Sequence, residues 1–169
     1  MILLLMRHGV AEDPAESSDK ADAKRRLTPK GKSRVADVAH FLDTVGMKPT
    51  HFVSSPRLRA LETAQIVAER FRSKKDVQRL ASLDFAGDWR TLVSDLEELT
   101  GKSEDAVVLA AGHEPLCGEF AALALLPVQV SLPVKKGAVV VLGWKGPIRD
   151  REASLLLYLT ARAARIPGR

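Results

Sequence analysis

The sequence predicts an α/β fold, a three-layer α/β/α sandwich around a mostly parallel, mixed sheet of about six strands with helices on both faces. Short runs rich in Leu, Val, Ile and Ala alternate with longer segments of helical spacing, which is typical of parallel sheets. The first run, Ile2–Met6, is apolar throughout, as in a central strand that is covered on both faces. No helical pattern separates the last two strand-like runs, so we expect one of those two strands to be antiparallel.

The first half of the chain predicts two further strands and two helices. The polar segment Glu12–Asp22 contains Pro14 and is predicted to be a loop. Thr28 can cap a helix that begins at Pro29 and ends at Gly46 and Pro49. The remaining predicted elements of this half are a strand over 51–53, a helix over about 57–71 and a strand over 77–80.

The second half predicts an amphipathic helix first, with its apolar residues on one side. This helix covers Trp89–Leu99, and Gly101 closes it. The elements predicted after it are a buried strand over 106–111, a helix over 114–126 that ends before Pro127, and strands over 138–142 and 154–159 separated by Gly143, Gly146 and Pro147.

Composition points to one domain over residues 1–169, with residues 165–169 as a flexible tail. No apolar stretch approaches the length of a membrane span, and the single cysteine fits a reducing compartment, so we expect a cytoplasmic protein. The net charge is +5, which suits an anionic substrate or an acidic partner protein. Aromatic residues are not interleaved with the basic clusters, which disfavours nucleic acid as a partner. The clusters are 24–26, 30–34, 70–75 and 162–169.

Residues suited to phosphate chemistry follow three of the predicted strands. Arg7-His8 ends the first, Arg57 and Arg59 follow the second, and His113 follows the strand over 106–111. If these three strands are parallel and neighbouring, their carboxyl ends share one sheet edge, and we then expect two arginines and two histidines around one pocket. Guanidinium groups bind phosphate oxygens, and a neutral imidazole can attack phosphorus, so neither a metal nor a cofactor is required. Because residues two apart point to different faces of a helix, at most one of Arg57 and Arg59 is expected in the pocket.

Three ordered motifs carry a resemblance to a known family. They are Arg7-His8-Gly9, the segment Ser55-Pro56-Arg57-Leu58-Arg59-Ala60-Leu61-Glu62-Thr63-Ala64, and Gly112-His113-Glu114-Pro115. Together they resemble the histidine phosphatase superfamily, the phosphoglycerate-mutase-like proteins. The short chain and the segment Arg25-Arg26-Leu27-Thr28-Pro29-Lys30-Gly31 are most similar to its SixA-type phosphohistidine phosphatases.

The resemblance implies that His8 becomes phosphorylated and that Arg7, Arg59 and His113 clamp the phosphoryl group. The predicted substrate-binding set is Arg7, Gly9, Arg59 and His113. The implied partner is a phosphorylated histidine-containing protein, such as a phosphotransfer domain. The second motif selects Arg59 over Arg57 as the catalytic arginine.

The sequence differs from many members of the family at the position of the general acid. Many relatives carry a glutamate after the second arginine, but Leu83–Asp88 contains none. Asp84 is a candidate substitute, and Asp88 is a weaker candidate that could instead cap the helix at Trp89. Phosphohistidine needs less acid assistance than an alkyl ester, because its imidazole leaving group accepts a proton near neutral pH (pKa about 6.5). The lack of a glutamate general acid in this segment therefore favours a phosphohistidine substrate.

Other phosphate and nucleophile motifs fail on particular residues. Gly31-Lys32-Ser33 and Gly101-Lys102-Ser103 lack the earlier glycine of a phosphate-binding loop. Cys117 could indicate a cysteine-dependent phosphatase, but Leu123 stands six positions on, where such an enzyme has an arginine. Cys117 is therefore predicted to be a small core residue. His113-Glu114 lacks the second histidine of a zinc-protease motif.

The sequence predicts a metal-independent phosphatase that hydrolyses phosphohistidine on a partner signalling protein through an intermediate on His8. A small-molecule phosphomonoesterase of the same superfamily is one alternative. A non-catalytic phosphate-binding module is another, although a pure binder needs no nucleophile. The absence of an inserted lid segment favours a protein substrate over a metabolite.

Overall fold

The computed structural model describes residues 1–15, 17–73, 76–126, 130, 132–146, 148 and 153–165. Within these ranges, six strands form one sheet in the order β3-β2-β4-β1-β5-β6. The strands are β1 (Ile2–Arg7), β2 (His51–Ser54), β3 (Gln78–Arg79), β4 (Val107–Gly112), β5 (Val139–Gly143) and β6 (Ser154–Leu159).

Strand direction confirms the prediction of a mostly parallel, mixed sheet. β1 to β4 are parallel to their neighbours. β5 is antiparallel to both β1 and β6. Consequently β6 runs in the same direction as β1, and β5 alone of the described strands is reversed. This reversal brings the start of β5 to the sheet edge where β1, β2 and β4 end.

Helices cover both faces of the sheet, which confirms the three layers. The helices are α1 (Asp19–Ala23), α2 (Pro29–Thr44), α3 (Leu58–Arg70), α4 (Trp89–Thr100) and α5 (Leu116–Leu125), with a short 3-10 helix at Ala81–Leu83. Leu4 and Met6 of β1 share one buried cluster with apolar residues of α2 and α3. Leu3 and Leu5 point the opposite way and share the second cluster with α4 and α5.

Two helix boundaries show how local sequence sets the structure. Thr28 caps α2 through its hydroxyl oxygen, which accepts from the Gly31 amide at 2.9 Å, and Pro29 is the first helical residue. Gly101 ends α4 in the left-handed conformation (φ 58°). Both boundaries were predicted correctly.

The segment predicted as a loop over Glu12–Asp22 is different, because α1 begins within it. Ser18 caps this helix by accepting from the Ala21 amide at 3.2 Å. None of its five residues is buried, so no apolar periodicity marked the helix. Its acidic residues instead contact arginines from another part of the chain, as described below.

Several predictions fall on residues that lie outside the described ranges. They are Lys74, Lys75 and Arg169 of the basic clusters, the turn residues Pro127 and Pro147, and positions 166–169 of the predicted tail. Within the ranges that are described, no helix is long and apolar enough to cross a membrane.

Candidate active site

Three parallel strand ends and one strand start meet at a single edge of the sheet. Arg7 pairs with Gly112 at the ends of β1 and β4, and Ser54 pairs with Ala111 where β2 ends. The structure therefore brings the predicted residues together. The ring centroids of His8 and His113 are 5.0 Å apart, and Arg59 Nε lies 3.3 Å from His8 Nε2.

The hydrogen bonds of His8 define its tautomer. Nδ1 lies 2.7 Å from the Gly9 carbonyl oxygen. A carbonyl can only accept, so Nδ1 carries the proton and Nε2 carries the lone pair. The Arg59 Nε–H donates to that lone pair. Nε2 is therefore the nitrogen that is equipped to attack an electrophile.

Burial keeps both histidines neutral. The side chains are almost fully enclosed, with exposed fractions of 6% for His8 and 1% for His113. Loss of hydration is the main cause that lowers the pKa of His8 from 6.5 to about 3, and the charges of Arg59 and Arg7 add to it. The same effect lowers the pKa of His113 to about 4, with Arg59 as the next contributor. At neutral pH both imidazoles retain a lone pair.

Asp22 accepts two hydrogen bonds from the guanidinium group of Arg59. Arg59 Nη1 donates to the Asp22 main-chain oxygen at 2.7 Å, and Nη2 donates to its Oδ2 at 2.9 Å. Arg25 Nη1 donates to the other carboxylate oxygen at 2.8 Å. Burial opposes ionisation of Asp22, but hydrogen bonds from Arg25 and Arg59 prevail and hold its pKa at about 2. A carboxylate of the protein thus lies on the arginine that was predicted to bind a phosphoryl group.

Arg57 also reaches this site, so the expectation that only one arginine would do so is wrong. Its Nη1 donates to Asp22 Oδ2 at 2.8 Å, the same oxygen that Arg59 contacts. Its Nη2 and Nε donate to Asp19 and Asp84. Arg57 precedes the first residue of α3 and has an extended backbone (ψ 135°). Helical spacing therefore does not govern the direction of its side chain.

His113 is anchored to the end of β2. Its Nε2 lies 2.9 Å from Ser55 Oγ. Its Nδ1 is buried and has no hydrogen-bond partner in the described part of the chain. An unpaired buried nitrogen is costly, so a ligand atom that hydrogen-bonds to it would be stabilised.

Arg7 is oriented from the segment that leads into β5. Its Nη1 donates to the Val134 carbonyl at 3.0 Å, and its Nε is buried without a partner among the described residues. Glu114 fixes that segment, since its Oε1 accepts from the Val134 amide at 2.6 Å and its Oε2 from the Gly118 amide at 3.0 Å. Glu114 therefore links the start of α5 to the peptide that holds Arg7.

Gly9 holds the imidazole of His8 in place through a hydrogen bond to its Nδ1. Its amide donates to Thr63 Oγ1 at 3.1 Å, and its carbonyl accepts from His8. A Cβ at this position would lie 2.8 Å from Val35 Cγ2, so only glycine fits without a shift. Both polar groups are engaged within the protein, so Gly9 orients His8 here, and the substrate contact predicted for Gly9 stays a prediction.

The two aspartates considered as proton donors have different environments. Asp84 accepts from Arg57 Nε at 2.5 Å and from the Phe85 amide at 2.9 Å. Burial opposes ionisation, yet these bonds lower the pKa of Asp84, with Arg57 contributing most. Its resting form is thus a carboxylate without a proton to give. Asp88 caps α4 by accepting from the Arg90 and Thr91 amides, as its alternative role predicted.

Sequence reasoning did not place Asp19, Asp22 or Phe85 in this site, and it set Arg57 aside in favour of Arg59. The Phe85 ring lies 4.7 Å from the His113 ring, with Arg57 Cζ at 4.3 Å and Arg59 Cζ at 5.5 Å from its centroid. The i, i+3 spacing of the two aspartates, just before Arg25, was a signal that could have placed them on one face of a helix.

Two findings bear on other chemistries. Cys117 is fully buried in the core, and burial raises the pKa of its thiol, as expected for a structural cysteine. Among the described residues, no group of three or more His, Cys, Asp or Glu side chains is arranged to hold a metal ion.

Comparison with known proteins identifies the family. The model of the histidine phosphatase superfamily (branch 1) matches residues 3–115. The chain belongs to this superfamily. An uncharacterized protein from Picosynechococcus sp. is 33% identical over 143 residues, which is 83% of each chain. The predicted membership is thereby confirmed, and the protein is a phosphatase of this superfamily.

Solved structures with the same fold include enzymes with different named substrates. The protein histidine phosphatase SixA, complexed with tungstate, is 24% identical with a TM-score of 0.81, and the match covers 98% of this chain and 100% of SixA. A phosphoserine phosphatase from Entamoeba histolytica is 16% identical with a TM-score of 0.65, and the match covers 96% and 98%. At these identities the likeness shows the fold alone.

Proposed function

We propose that this protein hydrolyses phosphohistidine on a partner signalling protein through a phosphohistidine intermediate on His8. One observation carries the proposal: the Nε2 lone pair of a neutral, buried His8 faces the arginine that would bind the phosphoryl group. A module that only binds phosphate gains nothing from a nucleophile oriented in this way.

The reaction follows from the positions of these side chains. His8 Nε2 attacks phosphorus while the P–N bond to the substrate imidazole breaks, and that imidazole takes up one proton. The Nδ1–H bond to Gly9 stabilises the positive charge that develops on His8. Water then attacks phosphorylated His8, releases inorganic phosphate and returns the lone pair to Nε2.

Arginines supply the electrostatic stabilisation. Arg59 exchanges Asp22 for phosphoryl oxygens, and the buried Arg7 Nε and His113 Nδ1 gain the hydrogen-bond partners that they lack. Such positioned donors stabilise the charge on the transferring phosphoryl group. Charge neutralisation in this scheme requires no step through a metal ion.

The state of Asp84 supports a phosphoramidate substrate. A carboxylate that is paired with Arg57 gives no proton to an alkoxide leaving group. An imidazole leaving group is protonated by solvent near neutral pH, so it tolerates a site without a strong acid. A phosphate ester of an aliphatic alcohol gains no such advantage.

Access to the site fits a protein-borne substrate. The cover over Arg59 is α1, a five-residue helix with no buried residues, so its displacement exposes little apolar surface. Exposed lysines flank the same edge of the sheet, Lys20 and Lys24 before α2 and Lys135 and Lys136 before β5. These lysines would attract an acidic partner surface.

The decisive experiment compares a phosphorylated histidine-phosphotransfer protein with simple phosphate esters. We expect preferential hydrolysis of the protein, an acid-labile phosphoenzyme in the wild type, and turnover that withstands a chelator. His8→Ala should abolish turnover and phosphoenzyme formation. His51→Gln, at the opposite end of the sheet, is the matched control. Full activity of His8→Ala would refute the mechanism, and a clear preference for a small ester would assign the protein to the phosphomonoesterases.

A further inference from the structure

Phe85 is an aromatic side chain held against the charged groups of the site. Its ring contacts His113, Arg57 and Arg59, yet 50% of the side chain is exposed. Isolated exposed apolar residues are ordinary on protein surfaces. This one is unusual because two of its neighbours, His113 and Arg59, are proposed to bind the phosphoryl group, so its open surface borders the position of the substrate.

The loop that carries Phe85 is closely fixed. The Gly87 amide donates to the Asp84 carbonyl at 2.9 Å, and the Phe85 amide donates to Asp84 Oδ1. A Cβ on Gly87 would lie 2.0 Å from the Ser82 carbonyl oxygen. The loop thus closes directly on the 3-10 helix at a point that only glycine permits. Phe85 is therefore presented at a defined position, and its ordering entropy is already lost before a ligand arrives.

We propose that the exposed surface of Phe85 is a platform for the leaving group, which selects phosphoryl groups carried on a planar aromatic ring. This inference rests on the proposed function and specifies its substrate class as the imidazole of phosphohistidine. Offset or tilted aromatic pairs are more stable than contacts between a ring and a short aliphatic chain. The ring that departs from phosphorus would pack on Phe85, while its phosphoryl group lies against Arg59 and His8.

The size of the effect follows from the contact. One aromatic pair contributes about 2- to 10-fold in affinity beyond the area it buries. A phosphoryl group carried on an aliphatic side chain such as serine gains little of this affinity, because serine has no ring to pack on Phe85. A purely structural Phe85, which only shields the guanidinium groups from water, would instead affect all substrates to the same extent.

The test uses two small substrates that share a P–N bond and differ in the ring. Phosphoimidazole carries the aromatic leaving group, and phosphoramidate does not. Comparing each variant with the wild type on the same substrate removes the difference in intrinsic reactivity. We expect Phe85→Leu to lower kcat/KM for phosphoimidazole about 2- to 10-fold more than for phosphoramidate. Phe85→Tyr, which keeps an aromatic ring, should retain the wild-type preference. Phe71→Leu, at the end of α3, is the control for loss of an aromatic side chain.

An equal loss on both substrates, or no loss on either, would overturn the platform. A second pair, phenyl phosphate and glycerol phosphate, separates this inference from the proposed function. If the wild type prefers esters to P–N substrates, the proposed function fails. A loss in Phe85→Leu that is larger for phenyl phosphate than for glycerol phosphate would then still support the platform.

Discussion

Asp22 holds Arg59 at two points, through its main-chain oxygen at 2.7 Å and its carboxylate at 2.9 Å. The Asp22 carboxylate accepts a hydrogen bond from Arg59 Nη2, a donor that a phosphoryl oxygen of the substrate would also use. Substrate binding is therefore an exchange of one anion for another. Asp22 belongs to α1, which contributes no residue to the core, so moving this helix away from Arg59 breaks few apolar contacts.

The first prediction concerns that exchange. Asp22→Asn removes the competing charge, so the dissociation constant for inorganic phosphate should fall several-fold, as measured by calorimetry. Asp13→Asn removes the same charge from an exposed position in the same segment and should have little effect, because exposed charges are screened. Unchanged or weaker phosphate binding in Asp22→Asn would show that Asp22 does not compete for the site.

The second prediction concerns Glu114 as a positioning residue. Glu114→Gln leaves one of its two amide partners without an acceptor, so the peptide at Val134 that orients Arg7 is loosened. We expect a loss of about 1–3 kcal/mol in the free energy of unfolding and a rise in KM that exceeds the fall in kcat. Glu119→Gln, at an exposed position in the adjoining helix α5, should change neither quantity. A destabilised variant with unaltered KM would limit Glu114 to a structural role.

The third prediction concerns pH. His8 and His113 have pKa values of about 3 and about 4 in the folded protein, whereas unfolded histidine titrates near 6.5. The unfolded chain therefore binds more protons between these values, and stability falls as the pH decreases through that window. Each histidine contributes a slope of about 1.4 kcal/mol per pH unit.

Denaturant unfolding at several pH values between 7 and 4 measures this slope. His113→Gln should have a shallower decline in stability than the wild type, since one of the two coupled protonations is removed. Parallel pH profiles for both proteins would contradict the lowered pKa of His113.

The fourth prediction separates Cys117 from catalysis. Cys117→Ala should retain full kcat/KM, because the thiol is buried and its pKa is raised. The lost packing should cost about 1 kcal/mol of stability. Native protein should also resist alkylation by iodoacetamide. Loss of turnover without loss of stability would reopen the cysteine-dependent mechanism.

The meeting of His8, Arg59 and His113 could be predicted because parallel strands align their carboxyl ends, and alternating strand and helix patterns indicate parallel strands. The structure then showed that β2, β4 and β1 are neighbours in the sheet. Asp22 and Phe85 were not predicted, since they arrive through a helix without an apolar face and a loop closed by Gly87. Neither leaves a periodic pattern. Arg57 was misplaced because the rule for helix faces was applied to a residue that precedes the helix.

The reversal of β5 has a consequence for when the protein becomes active. The main-chain oxygens of Arg7 and His8 both accept from the Gly137 amide, and Arg7 also depends on Val134. Arg7 and His8 thus depend on residues about 130 positions later in the chain, and contacts between residues so far apart slow folding. A nascent chain that has emerged only through Pro115 carries all three motifs but lacks the residues that support Arg7. Enzymatic activity therefore requires the segment that leads into β5 as well as the three motifs.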